Sequence, residues 1–151
     1  MDEILLAVNG TLMRGLELNP NLLDAGASFV RETSTEPCYR LWSIGDLHPA
    51  MLRVKTGGAA LTVEVWRVSA EGLASILQKE PPGLCVGKVT LAGGDEVLGV
   101  LGEPILCQDQ REITQFGGWR SYKAHLDSAA GRCLTGKSPA LEGVARTLPP
   151  K

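Results

Sequence analysis

The sequence predicts an α+β domain: a small mixed β-sheet, closed or nearly closed, with flanking helices. Three observations carry this. Short apolar or alternating runs recur from Leu5 to Leu101, each stopped by Gly, Pro, Asn or Asp. One segment, Ala70 to Glu80, has a helical composition with apolar residues at i, i+3 and i+4. Finally, Gly93-Gly94-Asp95 separates two strand-like runs and reads as a hairpin turn. A chain of 151 residues suits one domain with a real hydrophobic core.

The first element is the stretch Leu5-Leu6-Ala7-Val8-Asn9-Gly10-Thr11-Leu12, an apolar run that breaks at Asn9-Gly10 and hands over to the polar segment Met13-Arg14-Gly15. A buried strand ending in a small-residue loop presents unpaired backbone N–H groups beyond its end, and such a concavity suits a carboxylate. Asn19-Pro20-Asn21 reads as a turn, followed by Leu22-Leu23 and the run Ala27 to Arg31. Strands follow at Cys38 to Trp42 and at Met51 to Val54, with a turn at Gly45-Asp46 and His48-Pro49 between them. Leu61 to Val68 is the clearest strand, rich in β-branched residues and alternating in polarity.

Ser69 is placed as the N-cap of the helix, with Glu71 in its first turn and Pro81-Pro82-Gly83 as its stop. Leu73, Ile76 and Leu77 form the apolar stripe, and the next member of that series is Glu80. A carboxylate in that position loses hydration and meets the negative end of the helix dipole. Both effects raise its pKa, the signature of a general acid or base. Val86 to Leu91 and Glu96 to Leu101 make the hairpin, and Ile113 to Leu126 is expected to end in a short helix. From about Ser128 small residues, Gly and Pro dominate, so residues 127–151 are expected to form a loosely held tail behind a domain of residues 1–126. Such a tail could exchange between subunits of a homo-oligomer or cover a pocket.

Composition excludes several classes. Hydrophobic residues make up 44% and charged residues 21%, an ordinary globular balance. A net charge of −2, with no run of Lys or Arg, gives no footprint for nucleic acid or an anionic membrane. No apolar stretch approaches a membrane span, and the acidic start Met1-Asp2-Glu3 is unlike a signal peptide, so a cytoplasmic protein is expected. Cys38, Cys85, Cys107 and Cys133 are spread without a CxxC pair, and only His48 and His125 could join them. This spacing predicts reduced thiols and no metal site. No cofactor is called for.

Several stretches follow one another in a familiar order: Val8-Asn9-Gly10-Thr11-Leu12, Tyr39-Arg40-Leu41-Trp42, Pro49-Ala50-Met51-Leu52-Arg53-Val54, Val63-Glu64-Val65-Trp66, Gly83 to Val89, and Ile113 to Tyr122. On these the chain resembles the gamma-glutamylcyclotransferase-like superfamily, and more closely the C-terminal domain of allophanate hydrolases. The resemblance implies a small β-barrel with flanking helices. In cyclotransferases a Tyr-Gly-Ser/Thr-Leu loop holds the substrate carboxylate through backbone N–H groups. A glutamate after the main helix takes a proton from the α-ammonium, and the freed amine closes 5-oxoproline. Carried over, Gly10, Thr11 and Leu12 match the loop and Glu80 matches the acid.

Asn9 departs from the cyclotransferase tyrosine and looks like the allophanate hydrolase branch, whose domain decarboxylates N-carboxycarbamate. That branch, however, carries an apolar residue at the Glu80 position and a histidine near Leu12, so this sequence stands between the two chemistries. The expected site is therefore Glu80 as general acid or base, with Asn9, Gly10, Thr11 and Leu12 binding a small carboxylate-bearing amide or carbamate. The alternative role is a non-catalytic module that packs on a separately encoded amidase or hydrolase. His48 stands beside the site as a candidate proton donor, and Arg14 or Arg40 as a candidate clamp for a second carboxylate.

Overall fold

Eight strands lie among the described residues, most of them rich in β-branched and apolar residues, and two of them carry the architecture. In the computed structural model, which describes residues 3–135, β1 is Ile4–Val8 and β5 is Thr62–Val68. They pair antiparallel, with Leu6 opposite Trp66 and Val8 opposite Glu64. Around them lie β2 (Ser28–Ser34), β6 (Leu84–Thr90) and β7 (Glu96–Gly102), in the sheet order β2-β5-β1-β7-β6. Every pair in this sheet is antiparallel except β1 with β7, where Ala7 lies beside Gly99. A second sheet has the order β4-β3-β8, from β3 (Tyr39–Ile44), β4 (His48–Arg53) and β8 (Arg111–Glu112).

The five-stranded sheet curls towards closure. Its two edge strands meet beyond their ends at a bridge between Thr35 and Leu91. The Glu36 N–H donates to the Thr90 carbonyl at 3.0 Å, and the Ala92 N–H donates to the Ser34 carbonyl at 2.8 Å. The smaller sheet is stitched to the same edge. Arg53 donates to the Tyr39 hydroxyl at 2.8 Å and to the Lys88 carbonyl at 2.9 Å, while the Thr90 N–H reaches the same hydroxyl at 2.9 Å. Leu6, Val8, Val63, Val65, Leu41 and Val89 are buried in the core. Each such side chain contributes about 1.5–3 kcal/mol relative to exposure.

The described residues also include four α-helices: α1 (Asn19–Asp24), α2 (Ala70–Lys79), α3 (Pro104–Cys107) and α4 (Trp119–Thr135). Ser69 caps α2 as expected, its side chain accepting from the Gly72 N–H at 3.0 Å. Asn19-Pro20-Asn21 is the first turn of α1 and not a free turn, because Pro near a helix start loses no hydrogen bond. His48-Pro49 belongs to β4, whose place at the edge of its sheet tolerates a residue without an N–H.

The part of the chain up to Trp119 forms one compact unit, and the helix that follows belongs to a second. That helix, α4, runs to Thr135, past Ser128, where composition predicts the tail to begin. The rest of the expected tail, residues 136–151, lies outside the described residues. Among the described residues no helix is long and apolar enough to cross a membrane.

Candidate active site

The C-terminal ends of β1 and β7, the start of β4 and the end of α2 surround one small hollow. Its lining includes Asn9, Gly10, Thr11 and Leu12 together with Glu80 and the candidate donor His48, whereas the candidate clamps Arg14 and Arg40 are not part of it. Pro49, Leu84, Val100 and Val8 complete the wall. The volume is ≈ 20 Å³, enough for about one water molecule.

The loop after β1 is held from behind. The Gly10 carbonyl accepts from the Met13 N–H at 3.0 Å and the Thr11 carbonyl from the Leu18 N–H at 2.9 Å. The Leu12 carbonyl takes the Asn19 side-chain amide at 2.8 Å. No peptide bond is cis among the described residues, and in a trans peptide the N–H points opposite to the preceding carbonyl. Capture of the Gly10 and Thr11 carbonyls therefore turns the N–H groups of Thr11 and Leu12 away from the body of the loop. Backbone donors on consecutive residues suit an anion such as a carboxylate.

Gly10 is required by a close approach. A Cβ there would lie 2.5 Å from Cδ of Pro49, so only glycine lets β4 close over the loop. Asn9 is buried, and its amide donates to the Val100 carbonyl at 2.9 Å, which ties the end of β1 to β7. Its –NH2 is thus committed to the fold.

Glu80 ends α2 and is not in its last turn: its backbone is extended, at φ −73 and ψ 150. Its Oε2 is buried without a hydrogen-bond partner. Burial alone pushes the carboxyl up from the usual carboxylate range to about 7. An orphaned carboxylate oxygen costs about 1–3 kcal/mol, a strain that a substrate proton or donor would relieve.

His48 is half-buried, with Nδ1 3.1 Å from the Pro49 carbonyl. A carbonyl only accepts, so Nδ1 carries the proton, and in the neutral ring Nε2 remains an acceptor. The arginines considered as clamps are both engaged. Arg14 binds Glu64, and Arg40 binds Glu112. Sequence reasoning missed Glu64, whose carboxylate is fully buried behind the loop. The available signal was a charge between Val63 and Val65 in the most strand-like segment of the chain.

Comparison with known proteins decides the family. A model of the allophanate hydrolase C-terminal domain matches residues 4–124. The chain belongs to that family. Urea amidolyase of Saccharomyces cerevisiae is 29% identical over 132 residues, which are 80% of this chain and 7% of that enzyme. The chain thus spans a small fraction of the curated relatives it matches. Among solved structures, c4763, a uropathogenic E. coli-specific protein, is 57% identical at a TM-score of 0.81, covering 83% of this chain and 98% of that one. An aig2-like protein from Mus musculus shares the fold at a TM-score of 0.54 and 21% identity, over 70% and 80% of the two chains. The allophanate hydrolase C-terminal domain here is thus a member of the gamma-glutamylcyclotransferase-like fold, as the sequence resemblance implied.

Proposed function

We propose that this chain is a small acid–base enzyme whose substrate carries a free carboxylate next to an amide or carbamate nitrogen. One observation supports this above the rest: the buried, unpartnered Oε2 of Glu80 in the same hollow as the Gly10 to Leu12 loop. A carboxyl titrating at about 7 can hold or release a proton under working conditions. The Thr11 and Leu12 N–H groups bind the substrate carboxylate and fix its position relative to Glu80.

The family favours decarboxylation of N-carboxycarbamate. In that reaction the bond between nitrogen and one carboxylate carbon breaks, and its electron pair stays on nitrogen. The Glu80 carboxyl donates its proton there. Carbon dioxide leaves, carbamate remains, and the Glu80 carboxylate is reprotonated from water. Cyclotransfer is the second reading, and the presence of an acid at position 80 favours it. There the ionised Glu80 takes a proton from an α-ammonium, and the amine attacks the γ-carbonyl. The γ C–N bond then breaks, and the departing amino group takes the Glu80 proton as 5-oxoproline closes.

The matched relatives are urea amidolyases of which this chain spans 7%. On that ground we take a hydrolase module, on the same or another chain, as the source of substrate. The deciding experiment offers wild type and Glu80→Gln both N-carboxycarbamate and γ-glutamyl amino acids, with CO2 and 5-oxoproline followed separately. Turnover of one substrate is expected, falling at least about a hundredfold in the variant. Silence from folded wild type on both substrates overturns the enzyme reading in favour of a non-catalytic module.

A further inference from the structure

Glu64 stands at the centre of β5, flanked by β2 and β1, and has no exposed surface. It faces Val8, the last residue of β1, across the ladder. Its Oε1 accepts from the Arg14 backbone N–H at 2.9 Å and from the Trp66 indole at 3.2 Å. Its Oε2 accepts from Nε of Arg14 at 3.1 Å. One residue, Arg14, is therefore bound twice, through its main chain and through its side chain. The guanidinium also lies 3.7 Å over the Phe29 ring and 3.6 Å from a Glu32 oxygen.

Burying a carboxylate in a strand is expensive, and an apolar residue of similar size would suit the interior between Val63 and Val65 at less cost. The chain nevertheless puts a charge where the far end of the carboxylate loop reaches it. Arg14 closes the segment that starts at Gly10, and the Asn19 amide holds the Leu12 carbonyl between them. The bonds to the Gly10, Thr11 and Leu12 carbonyls stay within residues 10–19, whereas Arg14 ties the segment to β5, so its release would let the segment turn as a body. Hydrogen bonds weaken steeply with angle, so a modest turn of the Thr11 and Leu12 N–H groups would lower their grip on an anion.

We infer that Glu64 is a positioning residue: through Arg14 it sets the direction of the loop's donors, and so the affinity for the substrate carboxylate, without acting on proton transfer at Glu80. This rests on the reading of the loop as a carboxylate site.

The test uses malonate, two carboxylates joined by a CH2 where the proposed substrate has an NH, which leaves no C–N bond to break. Malonate is titrated into wild type, Arg14→Ala and Glu64→Gln, with binding followed on the amide signals of Thr11 and Leu12. The titration midpoint of Glu80 is read from its carboxyl carbon in the same samples. Wild type is expected to bind, with both variants about tenfold weaker and the Glu80 midpoint unmoved. Affinity unchanged in the variants overturns the proposal alone, and so does a Glu80 midpoint that moves with them. Failure of wild type to bind malonate overturns the carboxylate-site reading, and the proposal with it. Should Glu64→Gln not fold, Arg14→Ala decides, since that side chain is about half exposed.

Discussion

Two glutamates of this domain leave water, and they do so in opposite ways. Glu64 is fully buried, yet its carboxylate oxygens accept from a backbone N–H, a guanidinium and an indole. Glu80 is only half-buried, yet one of its oxygens is sealed from solvent with nothing to bind. Burial by itself therefore does not say whether a carboxylate is satisfied. The difference lies in hydrogen bonding. Donors arranged around Glu64 satisfy its charge and make it a fastener, whereas Glu80 is left with a proton affinity matched to neutral pH.

The comparison can be broken most directly at Glu64. Its replacement by Ala leaves the Trp66 indole N–H and the Arg14 backbone N–H without their acceptor, and is expected to cost about 2–4 kcal/mol in a urea unfolding experiment. A loss near zero would show that the Glu64–Arg14 pair fastens nothing. Gly10→Ala comes next. The added methyl meets Pro49 at 2.5 Å, so stability should fall by about 1–3 kcal/mol, and malonate affinity should fall with it.

Glu80 predicts the opposite sign. Its carboxyl titrates at about 7 in the folded chain against an ordinary 4.5, so the unfolded chain gives up the proton first as pH rises. Stability is then lost between those two values and stays low above them. Glu80→Gln should match wild type at pH 4. At pH 8 it should be more stable by about 1–2 kcal/mol, a figure reduced for its partial exposure. Thermal melts at the two pH values check this, and a variant less stable than wild type at pH 8 would show that Glu80 is structural after all. The smallest effect is at the helix start. Ser69→Ala removes the bond to the Gly72 N–H and should cost about 1 kcal/mol, without moving the Glu80 midpoint.

Much of the site was legible because its signals are local. The apolar run ending at Asn9-Gly10, the alternation in β5, the Gly93-Gly94 hairpin and the Ser69 cap each lie within a few residues of sequence. The stripe of Leu73, Ile76 and Leu77 placed Glu80 at the end of the buried face, and the family resemblance placed the loop opposite it. Other features were not legible. Asn19-Pro20 looks alike as a turn and as a helix start, and α4 continues through a stretch whose small residues resemble a tail.

The sequence by itself determined that Gly10 to Leu12 follow a strand and that Glu80 follows a helix, because backbone period and capping are short-range effects. Only the tertiary structure decided that these two meet with His48 in one hollow, since that depends on the parallel pairing of β1 with β7 and on β4 closing over Gly10. It also decided which glutamate would be satisfied. Glu64 finds its donors because β5 lies inside the sheet, beneath the loop that carries Arg14. Glu80 projects beyond a helix end where no donor reaches Oε2. The charged partner of Glu64 lies fifty residues away in the chain, and so it cannot be read from neighbours along it.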